Sequence, residues 1–306
     1  MVTRYGILCY VHPRRSSSFI LSRRPCGSRE VRAGGVVACG PLFPTHSSVE
    51  RTRAHARQGQ RGYAITFNGF NIGSFRFDSE VDGKRYTLRG DAELSALLGA
   101  FKWRGISLAS GRVGRRGPKP SDYLLSFKGT SRNGSIKVGF DRKGVNSASI
   151  VPPIPVMPDE VPLQRKHLKG ALDPLTAVMA LTIGSSKKPC NQTLSIFDGK
   201  QRFDLKLAYR GERASQWFPG QPGPATAKMV CSVKYKPLGG YRMTSQTKLL
   251  AQSDGLEIAM LPVPSANVAV PHEIRIPTGY GDIVLTAEKV SLTDRNQRRL
   301  ALLGGR

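Results

Sequence analysis

The sequence predicts a mainly β protein: an antiparallel curved sheet, open or closed to a half-barrel, with two short helices. Three observations predict it. Several short stretches alternate apolar and polar residues with period 2. Asn-Gly and Asp-Gly dipeptides stand between them. Gly and Pro number 33 and 21 in 306 residues, which suits many turns rather than long helices.

Residues 63–67 read as the first strand, ending at the Asn68-Gly69 turn. In 73–81, Phe75, Phe77 and Val81 share one face, while Ser74, Arg76, Asp78 and Glu80 share the other. Asp82-Gly83 is a type I′ turn dipeptide, and the return strand passes through Tyr86 and Leu88. A second hairpin is expected from 123–127, Asn133-Gly134 and 136–140, and a third from 193–197, Asp198-Gly199 and 202–209. Further strands are expected at 229–235, 256–261, 268–276 and 282–290. The two helices are 92–98, which is rich in Ala and Leu, and 173–181. In the second, Asp173 takes the N-cap, Pro174 takes N1, and Leu175, Val178, Met179 and Leu181 lie against the sheet. Between the halves, 151–163 carries five prolines. That density forces extended backbone and reads as a stiff crossover strap, with a PxxP-type partner ligand as the competing reading.

Residues 1–62 do not match the rest of the chain. They contain 11 Arg and no Lys, with Glu30 and Glu50 as the only acids, and they hold three of the five Cys and three of the five His. Neither period can be traced through them. The stretch 34–43 is a poor imitation of a secretory leader. Two readings stay open: a disordered basic arm, or a mis-called start that leaves the true leader missing. The organisation expected is thus 1–62 set apart, a single β-rich domain over 63–291, and a basic C-terminal tail over 292–306. Of the net charge of +26, the first segment carries +9, and +17 is spread thinly over the remaining 244 residues. Such charge attracts anionic surfaces in general. No stretch approaches the roughly 18 apolar residues of a membrane span.

The residues permit little catalytic chemistry. From residue 63 the chain has two His, His167 and His272, and two Cys, Cys190 and Cys231. A structural zinc site needs four such ligands at close spacing, and no HExxH, P-loop or GxSxG pattern occurs. No catalytic, cofactor or metal residue is therefore expected. His167 sits among Arg165, Lys166 and Lys169 and reads as a surface residue, and His272 beside Glu273 is an unspecific dyad. Cys190 and Cys231 flank one hairpin, and in a secreted β domain the default is a disulfide; two unrelated thiols in a cytosolic protein is the competing reading.

These residues also carry a resemblance. Asp173-Pro174-Leu175-Thr176-Ala177, Pro189-Cys190-Asn191-Gln192-Thr193 and Phe197-Asp198-Gly199-Lys200-Gln201-Arg202-Phe203 resemble the domain of unknown function 3108 family. Gly69-Phe70-Asn71-Ile72-Gly73, Cys231-Ser232-Val233-Lys234-Tyr235 and Gly239-Gly240-Tyr241-Arg242 fit it too. The resemblance implies an exported protein of the Gram-negative envelope, hence a periplasmic place, a leader peptide and an open-barrel-like fold. It implies no reaction. The function expected is that of a non-enzymatic envelope protein binding an amphiphilic ligand such as lipid or lipopolysaccharide, or another envelope protein. Aromatics such as Phe75 and Phe77 would then line a cradle, unless they simply fill a core. The alternatives are a basic nucleic-acid-binding protein, for which no RRM or OB signature is present, and a hydrolase using Asp198, Asp204 and Glu212. No specific nucleic acid partner and no cofactor are expected.

Overall fold

The computed structural model describes residues 57–183, 188–215, 226–263, 267–293 and 299–303. An N-terminal meander comprises β1 (Arg57–Phe67), β2 (Phe70–Asp82), β3 (Arg85–Ala96), β4 (Phe101–Gly114), β5 (Gly117–Gly129), β6 (Asn133–Phe140) and β7 (Val145–Val151). After a short β8 (Glu160–Val161) and helix α1 (Pro174–Thr182) come β9 (Gln192–Phe197), β10 (Arg202–Ser215), β11 (Thr226–Gly239) and β12 (Tyr241–Arg242). Helix α2 (Ser245–Gln252) precedes β13 (Glu257–Val263), β14 (Val268–Thr278), β15 (Gly281–Thr293) and β16 (Arg299–Leu303).

These strands form one fourteen-stranded antiparallel sheet in the order β7-β6-β5-β4-β3-β2-β1-β15-β14-β13-β11-β10-β9, with β16 added on β15. The β1–β15 pairing, with Ile65 opposite Leu285, welds the two halves together. β8 and β12 make a separate two-stranded piece.

The sheet curves but its end strands, β7 and β9, do not pair. The segment before α1 spans the gap. Gly170 N–H donates to the Lys143 carbonyl at the β6–β7 turn (3.0 Å), and Leu172 N–H donates to Ser195 of β9 (2.8 Å). The β9–β10 turn also reaches across. Gly199 has φ +104°, and a Cβ there would stand 2.2 Å from Ile136 Cγ2 of β6.

Helix α1 fills the interior. Asp173 caps it, its Oδ1 accepting from Thr176 N–H (2.9 Å), and Pro174 opens it. Leu175 and Met179 pack with Phe77, Tyr86, Leu88 and Tyr123 of the first half. Ala177 and Leu181 pack with Leu194, Ile196, Leu207, Val233 and Met260 of the second. The helix is apolar on both sides because sheet surrounds it. Leu175, Met179 and Leu181 contribute roughly 6 kcal/mol by burial, at ~2 kcal/mol each. Room for the helix comes partly from Gly90, where a Cβ would lie 2.9 Å from Leu175 Cδ2. Phe77 is buried in this core, so the aromatics fill it and do not line an open cradle.

Several expectations need correction. Residues 92–98 are not helical: 92–96 belong to β3, and Leu97–Gly99 form a tight turn in which all three residues have positive φ. Ala92, Leu94 and Ala96 share the inward face there, so period 2 prevailed over Ala/Leu helix propensity. The second helix is α2, capped by the Thr244 hydroxyl accepting from Thr247 N–H (3.2 Å). Asn133-Gly134 lies within β6 rather than in its turn, and Asn133 Oδ1 accepts from Gly129 N–H across the bend (3.1 Å). At the β2–β3 turn only Gly83 is left-handed (φ +57°), whereas a type I′ turn needs this at both central residues. Asn68 and Gly69 do satisfy it, at +47° and +85°. Residues 57–62, set apart with the N-terminal segment, form half of β1. Within 292–306, β15 runs to Thr293 and β16 pairs with it. The readings made for residues 1–56 lie outside the described residues.

Candidate functional site

The carboxylates and histidines singled out in the sequence do not converge. Asp198 Oδ1 accepts from Lys200 N–H (2.8 Å) and Gln201 N–H (2.6 Å), which locks the β9–β10 turn, and burial pushes its carboxyl above the usual range. Asp204 pairs with Arg202 (2.7 Å) and accepts from the Ser195 hydroxyl (2.9 Å). Glu212 is exposed eight residues further along β10, roughly 26 Å away at ~3.3 Å per residue. His167 Nδ1 accepts from Gln164 N–H (3.3 Å), and its carbonyl accepts from Arg202 Nε (2.8 Å), so it supports a bend. His272 stands at a β-bulge in β14, unpaired in the ladder with β13. Burial, with Lys228 nearby, holds its imidazole down to about 4, and Nδ1 has no hydrogen-bond partner. Among the described residues, no group of three His, Cys, Asp or Glu side chains is placed to hold a metal ion.

Cys190 and Cys231 are joined by a disulfide, with Cα atoms 5.1 Å apart. It ties a residue two positions before β9 to the middle of β11, inside the apolar cluster around α1.

The interior holds two polar groups of note. Asp173 is fully buried; burial pushes its carboxyl up to about 6, and its Oδ2 has no partner. Thr176 beside it shares a hydrogen bond with the Tyr86 hydroxyl (3.0 Å). Arg61 of β1 points inward over the Phe77 ring, 5.3 Å from its centroid, and burial lowers its guanidinium from the ordinary value. Sequence reasoning missed Arg61 because it fell in the segment set apart. Its place in the Arg61-Tyr63-Ile65 alternation was the available signal.

Two open hollows lie on the other, outward side of the sheet. They have volumes of about 600 and 630 Å³ and meet at Thr87, Leu88 and Leu108. The first crosses β15, β1, β2 and β3 and is lined by Gln58, Gln60, Asp78, Glu80, Arg89 and Ser291. The second crosses β3 to β7 and is lined by Leu108, Leu124, Asp122, Lys137, Ser147 and Ser149. Inward neighbours such as Leu88, Tyr123 and Val138 are buried in the core, which puts this trough on the outer face. Leu108 and Leu124 lie directly opposite each other across β4 and β5, and small residues on β6 and β7 keep the floor open. One lobe is therefore polar with both signs of charge, and the adjoining lobe has a dileucine floor.

Comparison with known proteins adds one finding. The family described as "Protein of unknown function (DUF3108)" matches residues 62–244. The chain belongs to the DUF3108 family. No curated protein and no solved structure matches. The DUF3108 match spans most of β1 through to β12 and includes Asp173, Asp198 and both disulfide cysteines. β13, β14 and β15 lie beyond it, yet they carry the sheet from β11 back to β1. No helix among the described residues is long and apolar enough to cross a membrane.

Proposed function

We propose that this DUF3108 protein is a non-enzymatic component of the Gram-negative envelope that binds an amphiphile along its outer trough. The observation that carries the reading is the junction of a polar lobe and an apolar lobe across β3. An acyl chain on Leu108 and Leu124 would leave its head group among Asp78, Glu80 and Arg89, where both signs of charge and several side-chain amides can bond it. Two further points support the envelope setting: the buried disulfide, which suits an oxidising compartment, and the exported character that the family resemblance implies. The lone placements of Asp198, Asp204 and Glu212 favour binding over hydrolysis.

The test is titration with dansyl-labelled lauric acid. Saturable binding is expected, weakened at least about tenfold (~1.4 kcal/mol) in L108E/L124E. Both leucines face outward, so the variant should melt with the wild type. Equal affinity in the variant, or no saturable binding by the wild type, would overturn the reading.

A further inference from the structure

One end of the sheet collects apolar side chains in the wrong solvent. The antiparallel registers place the β1–β2, β3–β4 and β14–β15 turns at the same end, since Gly73 lies opposite Leu94 and Phe67 opposite Ile283. Leu97, Leu98 and Phe101 stand at the β3–β4 tip, Phe70 at the β1–β2 tip and Tyr280 at the β14–β15 tip. Leu97, Phe70 and Tyr280 are 80%, 77% and 88% exposed, and Leu98 is fully exposed. The last two tips are tied together, Asn68 Nδ2 donating to the Tyr280 carbonyl (3.0 Å). With strands ~4.8 Å apart, successive tips are roughly 10 Å apart and the row spans roughly 20 Å.

The β3–β4 tip is also strained. Leu97 and Leu98 both have left-handed backbones, φ +53° and +54°. A γ-branched apolar residue gains nothing there for folding: Asn or Gly would suit the conformation better and expose less hydrocarbon. Unfavourable backbone and unfavourable hydration at the same two residues point to a use outside the fold.

Charge identifies the surface that would cover them. Lys102, Lys128 and Arg132 flank the tip on its β4–β6 side and form no ion pair among the described residues, Arg132 donating to the Pro152 carbonyl (2.7 Å), whereas Arg104 is matched by Glu93 (3.0 Å). The β5–β6 turn is held against the tip by Thr130 N–H donating to Lys102 O (2.9 Å). Convex apolar points with aromatic neighbours and flanking cations match the interface of an anionic bilayer, where acyl chains accept leucine, the head-group level accepts Tyr and Phe, and phosphates accept Lys and Arg. The turns at the other end, 82–85, 114–117 and 141–144, are rich in Lys and Arg but carry no exposed large apolar side chain.

We propose that this row of hairpin tips is a lipid-docking rim, with Leu97 and Leu98 entering an anionic membrane surface and Lys102, Lys128 and Arg132 against its head groups. The proposal is independent of the outer trough. The test is vesicle flotation of the full chain with phosphatidylcholine alone or with added phosphatidylglycerol. Flotation is expected with the anionic vesicles. L97N/L98G should lose it at least about tenfold while melting no lower than the wild type, because the new residues relieve the turn. R115E/R116E, at the opposite end, should float within about twofold of the wild type. Undiminished flotation of L97N/L98G, loss in R115E/R116E alone, or no flotation of the wild type would overturn the proposal. Equal flotation on neutral vesicles would overturn the part given to the three cations.

Discussion

Opening the Cys190–Cys231 bond frees a loop with a sequence separation of 41 residues. In the chain-entropy treatment, a loop of that size stabilises the folded state by about 4 kcal/mol. Reduction of the wild-type protein isolates this effect, because two thiols occupy nearly the volume of the bond. Alanine at both positions adds roughly 1 kcal/mol for each sulfur removed from the packed cluster. Cys231→Ser adds a different penalty, since Cys231 is 0% exposed among Leu207, Val233 and Met260, and a hydroxyl there finds only apolar neighbours. The assay is urea unfolding with and without reductant. At a slope of about 3 kcal/mol/M, reduction should move the midpoint down by about 1.3 M. Coincident midpoints would refute the reasoning. So would free thiols at both positions in peptide maps of protein made in an oxidising compartment.

Two further outcomes concern the interior. Asp173, raised to about 6 by burial, binds its proton more tightly folded than unfolded, so its ionisation disfavours the fold. This contribution should cost stability as pH rises from about 4 to about 6, by roughly 3 kcal/mol at most. Asp173→Asn keeps an Oδ1 acceptor for the Thr176 cap and should flatten that part of the profile in melts from pH 4 to 7. An unchanged slope would show that another group sets it. Gly199→Ala brings a Cβ against Ile136 at a left-handed position and should destabilise by more than about 1 kcal/mol. A second substitution, Ile136→Ala, should recover part of that loss; strict additivity of the two would show that the turn does not bear on β6.

Much of the fold was legible in the sequence wherever a face was marked by large apolar residues. Phe75, Phe77 and Val81 alternate with charge, and Asn68-Gly69 can adopt two left-handed conformations in succession, so β1 and β2 declared themselves. Asp173-Pro174 announced α1 through a local mechanism, a side-chain cap followed by a residue with no N–H to satisfy. The family resemblance was readable for the same reason, since its motifs fall on that cap, the disulfide and the Asp198 turn. β4 was invisible because Gly105, Ala109 and Gly111 on its inward face are small. A larger residue would collide with Trp103 at Gly105 and with the cross-strand Tyr86 at Gly111, partners that only the strand pairing supplies in the second case. The same holds for the trough and the rim. Leu108 and Leu124 face each other across β4 and β5, and Tyr280 is brought to the same end as Phe70 and Leu97 by the distant β1–β15 register. Period 2 assigns a residue to a face, but which faces become neighbours depends on long-range strand pairing. Here the decisive pairing was β1 with β15, and no local pattern encodes it.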